Sequence, residues 1–304
     1  MTYIFGPVPS RRLGLSLGVD LIPSKTCTYD CLYCEVGRTT NKTTLIKPYV
    51  PVAEVLRELA EKLTQVHPDV ITLSGSGEPT LYVDIDQVIA FIKDTTKIPV
   101  VLLTNGSLLW KEEVRNKVLK ADLIMPTLSS AFEKTFRKIH KPEPGLILSQ
   151  IIEGYVALRK VYNGQLILEL FLLKGINDTQ EELTALKEVI ERINPDKVQL
   201  NTVVRPPSEP QALALDNKRL EEIKEFLGAK AEVIADVHPH QRRNQYGSLE
   251  EILLETLRRR PMRAIDLANV LNSRLEDVEG ILKGLLLKGK IKKKEHEEQD
   301  YYLA

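Results

Sequence analysis

The sequence contains little cysteine, no excess of either charge and no long apolar run. Its 304 residues include 3 cysteines, and an odd number argues against a disulfide scaffold in a chain of this length. The 42 basic residues equal the 42 acidic residues, so no overall charge favours nucleic acid or an anionic membrane as a partner. No apolar run approaches the roughly 20 residues of a membrane span. The segment 1–7 lacks the basic start and apolar stretch of a signal peptide, and free thiols then predict a reducing, cytoplasmic location.

All three cysteines fall in one short run, Cys27, Cys31 and Cys34, with the pattern C-x-x-x-C-x-aromatic-C. Three thiolates can hold three irons of a four-iron cluster and leave the fourth iron open for chemistry, whereas iron–sulfur electron carriers use four cysteines. A structural zinc site is the alternative, because zinc takes four cysteine or histidine ligands. The histidines that could supply the fourth ligand are His140, His238 and His240.

This cysteine pattern is the signature of the radical S-adenosylmethionine (SAM) enzymes, which the sequence resembles over roughly its first 235 residues. The resemblance implies one [4Fe–4S] cluster that binds SAM and cleaves it to a 5′-deoxyadenosyl radical, which abstracts hydrogen from a substrate. It also implies an external reductant such as flavodoxin or ferredoxin. Tyr33 matches the aromatic position that packs near the adenine in this family.

Two further segments, 5–14 and 35–39, resemble a group of uncharacterised iron–sulfur oxidoreductases that is loosely similar to the tRNA wyosine-forming enzymes. Those enzymes carry a second cluster, and this chain has no further cysteines to hold one. The first segment contains Arg11 and Arg12, which could bind an anionic substrate or pack over the first strand.

The first 235 residues alternate strand-like and helix-like patterns. Apolar, β-branched runs predict strands at 15–22, 69–74, 99–104, 123–128, 166–173 and 197–204, and apolar residues three and four apart predict helices between them. Such repeats form a parallel sheet. A flavodoxin-like open sheet fits this alternation, but the cysteine loop after the first strand favours the partial (βα)6 TIM-type barrel of the family. Active sites of such barrels lie at the carboxyl ends of the strands.

The second strand is followed by Ser74-Gly75-Ser76-Gly77-Glu78-Pro79. Glycines permit close approach of the backbone to a ligand, and a carboxylate follows them. The segment resembles the Gly-Gly-Glu motif of the family, which implies that Gly75, Gly77 and Glu78 hold the methionine amino group of SAM. Ser76 stands where the family has the first glycine of the pair.

Other strand ends also carry polar residues. The resemblance places Thr104 and Asn105 beside the SAM site and Ser129 at the ligand ribose. Arg205, after the sixth strand, could bind a carboxylate of SAM or of the substrate in a bidentate manner. Glu169 lies within an apolar strand, where a carboxylate needs a partner, so we expect it to point into the barrel mouth or to meet an arginine. No residue is predicted to act as a catalytic acid or base.

A polar connector at 236–247 precedes a second, smaller domain at 248–304. Ser248 and Glu251 form a capping-box pattern that predicts a helix ending before Pro261. Two more helices are predicted at 263–271 and 275–288, the latter closed by Gly289, and two short strands at 290–295 and 299–303. Three helices and a hairpin predict a winged helix-turn-helix.

The charges of this second domain argue against DNA binding. Eleven basic and eleven acidic residues give it no net charge, and the first turn of its third helix, which would enter the groove, carries Glu276, Asp277 and Glu279. We therefore expect an enzyme whose unidentified substrate, an RNA, a peptide or a protein, docks on this domain, with packing or dimerisation as another use of it. The alternative is a cluster- or SAM-sensing regulator that reads DNA.

Overall fold

The computed structural model describes residues 2–10, 12–234, 249–259, 261–271, 273–296 and 299–304. Arg11, the connector 236–247 with His238 and His240, and the predicted capping residue Ser248 lie outside the described residues. Within them, no helix is long and apolar enough to cross a membrane.

The described part of the chain forms twelve strands, ten α-helices and one short 3-10 helix, Pro79–Leu81. The strands are β1 (Ile4–Ser10), β2 (Gly14–Val19), β3 (Thr26–Cys27), β4 (Asn41–Lys42), β5 (Val70–Leu73), β6 (Val100–Thr104), β7 (Leu123–Leu128), β8 (Gln165–Leu172), β9 (Lys197–Thr202), β10 (Ala231–Val233), β11 (Lys292–His296) and β12 (Gln299–Leu303). The helices are α1 (Val52–Leu63), α2 (Ile85–Thr95), α3 (Glu112–Val118), α4 (Glu133–His140), α5 (Leu148–Val161), α6 (Gln180–Ile193), α7 (Asn217–Leu227), α8 (Leu249–Arg259), α9 (Ala264–Leu271) and α10 (Leu275–Leu287).

One eight-stranded sheet has the order β1-β2-β5-β6-β7-β8-β9-β10. Strands β2 to β10 in this sheet run parallel, and β1 pairs antiparallel with β2 at the edge. The predicted α/β fold with a parallel sheet is confirmed, and the arrangement is consistent with a partial barrel. The seven-residue strand β1, the three-residue strand β10 and the two-residue strands β3 and β4 were not predicted.

Both faces of the sheet are apolar, as parallel strands require. Successive residues of a strand point to opposite faces: Ile71 and Leu102 belong to the large core beneath the helices, whereas Val101 and Met125 form a separate cluster on the other face. Helix ends follow local chemistry, since Asp216 caps α7 by accepting the Arg219 N–H at 2.8 Å. The parallel order brings the carboxyl ends of seven strands, β2 and β5 to β10, to one edge of the sheet.

Helices α8 to α10 and the antiparallel pair β11–β12 have an apolar core of their own. Leu253, Leu267, Leu282 and Ile291 are among its buried members. This C-terminal segment also touches the main sheet, because α8 packs against β1 and the Tyr301 hydroxyl donates to the Val204 carbonyl at 2.9 Å.

Candidate active site

The cysteine run occupies the loop between β3 and β4, at the carboxyl end of the sheet. Backbone hydrogen bonds fasten the loop at both ends: Lys25 N–H donates to Ser76 O at 2.8 Å, and Thr43 N–H donates to Cys27 O at 3.0 Å. In the middle, the Ser208 hydroxyl donates to Cys31 O at 2.8 Å. The three cysteines, all free thiols, are therefore held on a loop with a defined backbone.

The three thiols share one electrostatic environment. Burial raises the pKa of Cys27 to about 12, and the carboxylate of Glu78 adds to this effect. Burial also raises the pKa of Cys31 and of Cys34. The negative charges of the other two thiolates raise the pKa of Cys31 further. All three would carry protons at neutral pH, so metal binding has to displace them.

The spacing of these side chains bears on the kind of metal site. Among the described residues, no three histidine, cysteine, aspartate or glutamate side chains converge on a point where they could share a single metal ion. Each thiolate of a four-iron cluster binds a different iron, so the ligands stand further apart than around one zinc ion.

Glu78 is the centre of a hydrogen-bond network at the ends of β5 and β6. Its side chain is 2% exposed, and its Oε1 accepts from Thr80 N–H at 3.0 Å and from the hydroxyls of Thr80 and Thr104 at 2.6 Å. Its Oε2 accepts from Asn105 N–H at 2.8 Å. Burial raises the pKa of Glu78 although these bonds oppose the shift. Oε2 thus has a further lone-pair site for a donor such as an ammonium group.

Asn105 links this network to the cysteine loop. Its Nδ2 donates to the Thr28 hydroxyl at 2.8 Å and lies 3.5 Å from Cys27 Sγ. Thr104, Asn105 and Glu78, which the family resemblance assigns to the SAM site, are therefore brought together beside the first cysteine.

Gly75 and Gly77 allow a close approach of backbone segments, but in this structure the neighbours are Asp20 and Thr26 of the chain and not a ligand. A Cβ on Gly75 would lie 2.3 Å from Asp20 Cγ, and a Cβ on Gly77 would lie 2.0 Å from Thr26 O. Ser76, the departure from the family motif, donates its hydroxyl to Asp20 Oδ2 at 2.8 Å. The glycines let the strand-end loop press against the cysteine loop.

A cavity of about 350 Å³ lies beside the cysteine loop. Its lining includes Tyr33, Cys34, Gly75, Glu169 and Arg205. Three predicted SAM contacts and one cysteine therefore face a single space, at the lower end of the about 300–1,000 Å³ that small-molecule sites occupy.

Glu169 meets an arginine, as expected. Arg12 Nη1 donates to its Oε1 at 2.6 Å, Asn201 Nδ2 donates to the same oxygen at 3.1 Å, and the Thr127 hydroxyl donates to Oε2 at 2.9 Å. Burial alone would raise the pKa of Glu169, but Arg12 and the two hydrogen bonds outweigh it and the pKa falls below its ordinary value. Glu169 is therefore an ionised carboxylate in the cavity wall.

Arg205 also faces a carboxylate of the chain. Its Nη1 lies 2.9 and 2.8 Å from the two carboxylate oxygens of Glu35, the residue after the last cysteine. The arginine side chain is 10% exposed, against 30% for the glutamate. Any ligand carboxylate that Arg205 binds must share it with Glu35.

Tyr33 contacts β8 through Phe171, and Ser129 directly follows β7, the neighbour of β8 in the sheet. The Tyr33 ring stacks on Phe171 with centroids 3.7 Å apart and planes 11° apart, which occupies one face of the ring. Ser129 Oγ is buried without a hydrogen-bond partner among the described residues. Burial raises the pKa of Tyr33, and the nearby Ser129 hydroxyl offsets this only in part. The Ser129 hydroxyl therefore interacts with Tyr33 but forms no hydrogen bond of normal length among the described residues, and it keeps hydrogen-bonding capacity for a ligand.

Several residues of the site were not predicted. His140, considered only as a zinc ligand, instead places its Nδ1 3.2 Å from Cys31 Sγ. Asp20 and Glu35 bind predicted residues, and Thr256 of α8 lines the cavity. Asp20 could have been found from the sequence, because it follows β2 and the ends of strands form the site. The sequence contains no signal that would place Thr256 there.

Comparison with known proteins identifies the family. The family model described as "Radical SAM superfamily" matches residues 21–186. The UPF0026 protein MJ1312 of Methanocaldococcus jannaschii is 34% identical over 310 residues, covering 100% of this chain and 96% of that protein. A protein of Brachyspira hyodysenteriae named GTPase Obg is 40% identical over 293 residues, or 95% of this chain, but the chain spans only 43% of it. The sequence here has no G-x-x-x-x-G-K-[ST] phosphate loop.

Solved structures show the same fold. SuiB of Streptococcus suis bound to its precursor peptide SuiA has a TM-score of 0.55 at 15% identity, over 71% of this chain and 48% of that one. A radical SAM methyltransferase from Sphaerobacter thermophilus has a TM-score of 0.53 at 14% identity, over 72% and 65%. TYW1 with a lysine–pyruvate adduct has a TM-score of 0.50 at 18% identity, over 73% and 75%. With the family model matched across more than half of its length, the chain belongs to the radical SAM superfamily.

Proposed function

We propose that Cys27, Cys31 and Cys34 hold one [4Fe–4S] cluster. The radical SAM family uses this cluster together with SAM. When bound, the pair supplies a 5′-deoxyadenosyl radical that takes hydrogen from a substrate. The observation that carries the proposal is the placement of the three thiols on one fastened loop, with Cys34 in the wall of the cavity.

The neighbouring residues are proposed to bind and orient SAM. Glu78 offers the remaining lone pair of Oε2 to the methionine ammonium group. Gly75, whose backbone lies in the cavity wall, and Gly77 are proposed to approach the same group. Thr104 and Asn105 fix the orientation of Glu78 by donating to it.

Three further residues are proposed to contact the ribose, the adenine and a carboxylate group of the bound molecules. Ser129 Oγ, which forms no hydrogen bond of normal length among the described residues, suits a ribose hydroxyl. Tyr33 packs near the adenine with the ring face that Phe171 leaves open. Arg205 binds a carboxylate in competition with Glu35.

The reaction on the substrate is not that of TYW1 in this proposal. The TYW1 structure contains a lysine–pyruvate adduct, whereas the described residues that line the cavity here include no lysine. A second cluster of the kind found in wyosine-forming enzymes would also need cysteines beyond the 3 in the chain.

We assign residues 1–235 to the radical SAM domain, 236–247 to a linker and 248–304 to a winged helix-turn-helix. The order α8, α9, α10, β11, β12 and the separate apolar core support this assignment. We propose that a macromolecular substrate, such as a peptide or an RNA, docks on this domain and inserts one group into the cavity. A reductant such as flavodoxin or ferredoxin supplies the electron.

The alternative of a DNA-reading regulator gains no support from the catalytic relatives named above. The first turn of α10 carries Glu276 and Asp277, and Asp277 pairs with Arg274 at 2.9 Å, which removes a cation from the face that phosphates would approach. Acidic residues at this position suit a helix N-terminus but repel a nucleic-acid backbone.

Anaerobic reconstitution with iron and sulfide, followed by reduction and addition of SAM, tests the proposal. We expect about four irons per chain in the wild-type protein and the formation of 5′-deoxyadenosine. Cys31→Ala should lose both, whereas Thr184→Ala on the exposed face of α6 should keep both. A Cys31→Ala variant that retains the cluster and the cleavage activity would refute the assignment.

Glu78→Ala tests the SAM site separately. It should retain the cluster, because Glu78 is not an iron ligand in the proposal, and bind SAM more weakly. Isothermal titration of the reconstituted protein with SAM gives the affinity. Unchanged affinity would remove Glu78 from the SAM site.

A further inference from the structure

His140 is the last residue of α4, and its side chain touches the cysteine loop. The ring is 1% exposed, and its Nδ1 lies 3.2 Å from Cys31 Sγ. A distance of this size to sulfur is a hydrogen bond and not a packing contact alone. The two residues are 109 positions apart in the sequence, so the contact depends on the tertiary fold.

The backbone on both sides of Cys31 is bonded to the end of α4. Asp30 N–H donates to His140 O at 2.9 Å, and Leu32 N–H donates to Ile139 O at 2.9 Å. These two bonds bracket the cysteine, so its position relative to the histidine ring cannot change without breaking one of them.

Aromatic rings hold the imidazole in one orientation. The centroids of Tyr29, Phe136 and Tyr33 lie 4.9, 5.3 and 5.8 Å from that of His140. A ring enclosed in this way has little rotational freedom, and Nδ1 stays directed at the sulfur.

We propose that His140 is a positioning residue that donates its Nδ1–H to Cys31 Sγ and raises the reduction potential of the cluster; this inference rests on the proposed function. A thiolate bound to iron has no proton, so the hydrogen bond can run only from nitrogen to sulfur. Reduction adds one electron, supplied by the external reductant, and no proton. The added negative charge on the sulfurs strengthens the hydrogen bond, which therefore stabilises the reduced cluster more than the oxidised one.

The experiment is an anaerobic dithionite titration of the reconstituted protein, with the reduced cluster quantified by EPR. His140→Phe keeps an aromatic ring and removes the donor, and we expect the ratio of reduced to oxidised cluster at a fixed potential to fall about tenfold, or about 59 mV for one electron. His140→Asn places an amide N–H where Nδ1 stood and should recover most of the wild-type ratio. Phe136→Leu loosens one side of the aromatic enclosure but keeps the donor, so it should lower the ratio by less than His140→Phe does.

A second measurement needs no variant. Pulsed EPR of the reduced wild-type cluster should show a nitrogen coupling that changes when histidine is labelled with ¹⁵N. Absence of any histidine coupling overturns the inference even if His140→Phe fails to fold.

The outcomes separate the two claims. If the wild-type protein assembles no cluster, the proposed function fails. If the cluster assembles but His140→Phe and wild type have equal potentials, or if Phe136→Leu lowers the potential as much as His140→Phe, the inference on His140 fails and the proposed function stands.

Discussion

Replacing Arg12 by methionine should leave Glu169 as a carboxylate in the cavity wall without its cation. The two side chains are only 17% and 15% exposed, so water cannot take over the role of the guanidinium. Breaking a buried ion pair costs about 3–5 kcal/mol. We expect the lower end, about 3 kcal/mol, because Thr127 and Asn201 continue to donate to the carboxylate.

The pH dependence of this loss has a definite sign. In the wild type the pKa of Glu169 is lowered, so its ionisation stabilises the fold above the ordinary carboxyl pKa, and this contribution is lost as the pH falls through the lowered value. In Arg12→Met, burial prevails and raises the pKa, so protonation relieves the unpaired charge as the pH falls. The stability difference between variant and wild type should therefore be larger near about pH 7.5 than near about pH 5.

Urea unfolding followed by circular dichroism, with all proteins in the same cluster state, measures these differences. Arg12→Met combined with Glu169→Gln should recover to within about 1.5 kcal/mol of wild type, because no unpaired charge remains. Arg274→Met breaks an exposed pair in which the arginine is 77% exposed, and it should leave the free energy of unfolding unchanged within the error of the assay. A loss in Arg12→Met no larger than in this control, or equal at both pH values, would contradict the reasoning.

Three more predictions concern the surroundings of the site. Gly77→Ala should destabilise the protein by about 1–3 kcal/mol, because its Cβ would meet Thr26 O at 2.0 Å; Gly280→Ala, in open space on α10, should instead stabilise by up to about 1 kcal/mol in the same urea assay. Since burial raises the pKa of Cys27 to about 12, iron bound per chain in the presence of a competing chelator should increase from about pH 7 to about pH 8.5, and a flat profile would argue against buried protonated thiols. Tyr155→Phe should cost about 1–3 kcal/mol on urea unfolding, because its single hydroxyl proton is shared between the Asn105 and Thr127 carbonyls, which lie 3.0 and 2.9 Å from the oxygen; no loss would show that these carbonyls find other donors.

The sequence predicts the repeated part of the fold well because its signals are local. Strand periodicity and the polar residues at strand ends indicate the parallel sheet and the neighbourhood of Glu78, Thr104 and Asn105. Strand β1 was missed because Pro7 and Pro9 argue against a strand in the sequence, since proline has no backbone N–H to donate to a neighbouring strand. An edge strand tolerates proline because it pairs on one side only.

The site could be predicted only as far as motifs reach. The partners Arg12 and Glu169 are 157 positions apart, and His140 contacts Cys31 across 109. Neither pair leaves a trace in spacing or composition. The same holds for Glu35, whose pairing with Arg205 changes what that arginine can bind.

The packing of α8 against β1 has a kinetic consequence. Thr256 of α8 forms part of the cavity wall and is 2% exposed, so the cavity keeps its volume of about 350 Å³ only while α8 stays packed against β1. On the proposed function, a substrate group larger than this volume would require α8 to move away from β1. Turnover of small substrates would then be insensitive to solvent viscosity, whereas turnover of bulky ones would slow as viscosity increases, and the size at which the behaviour changes would measure the aperture.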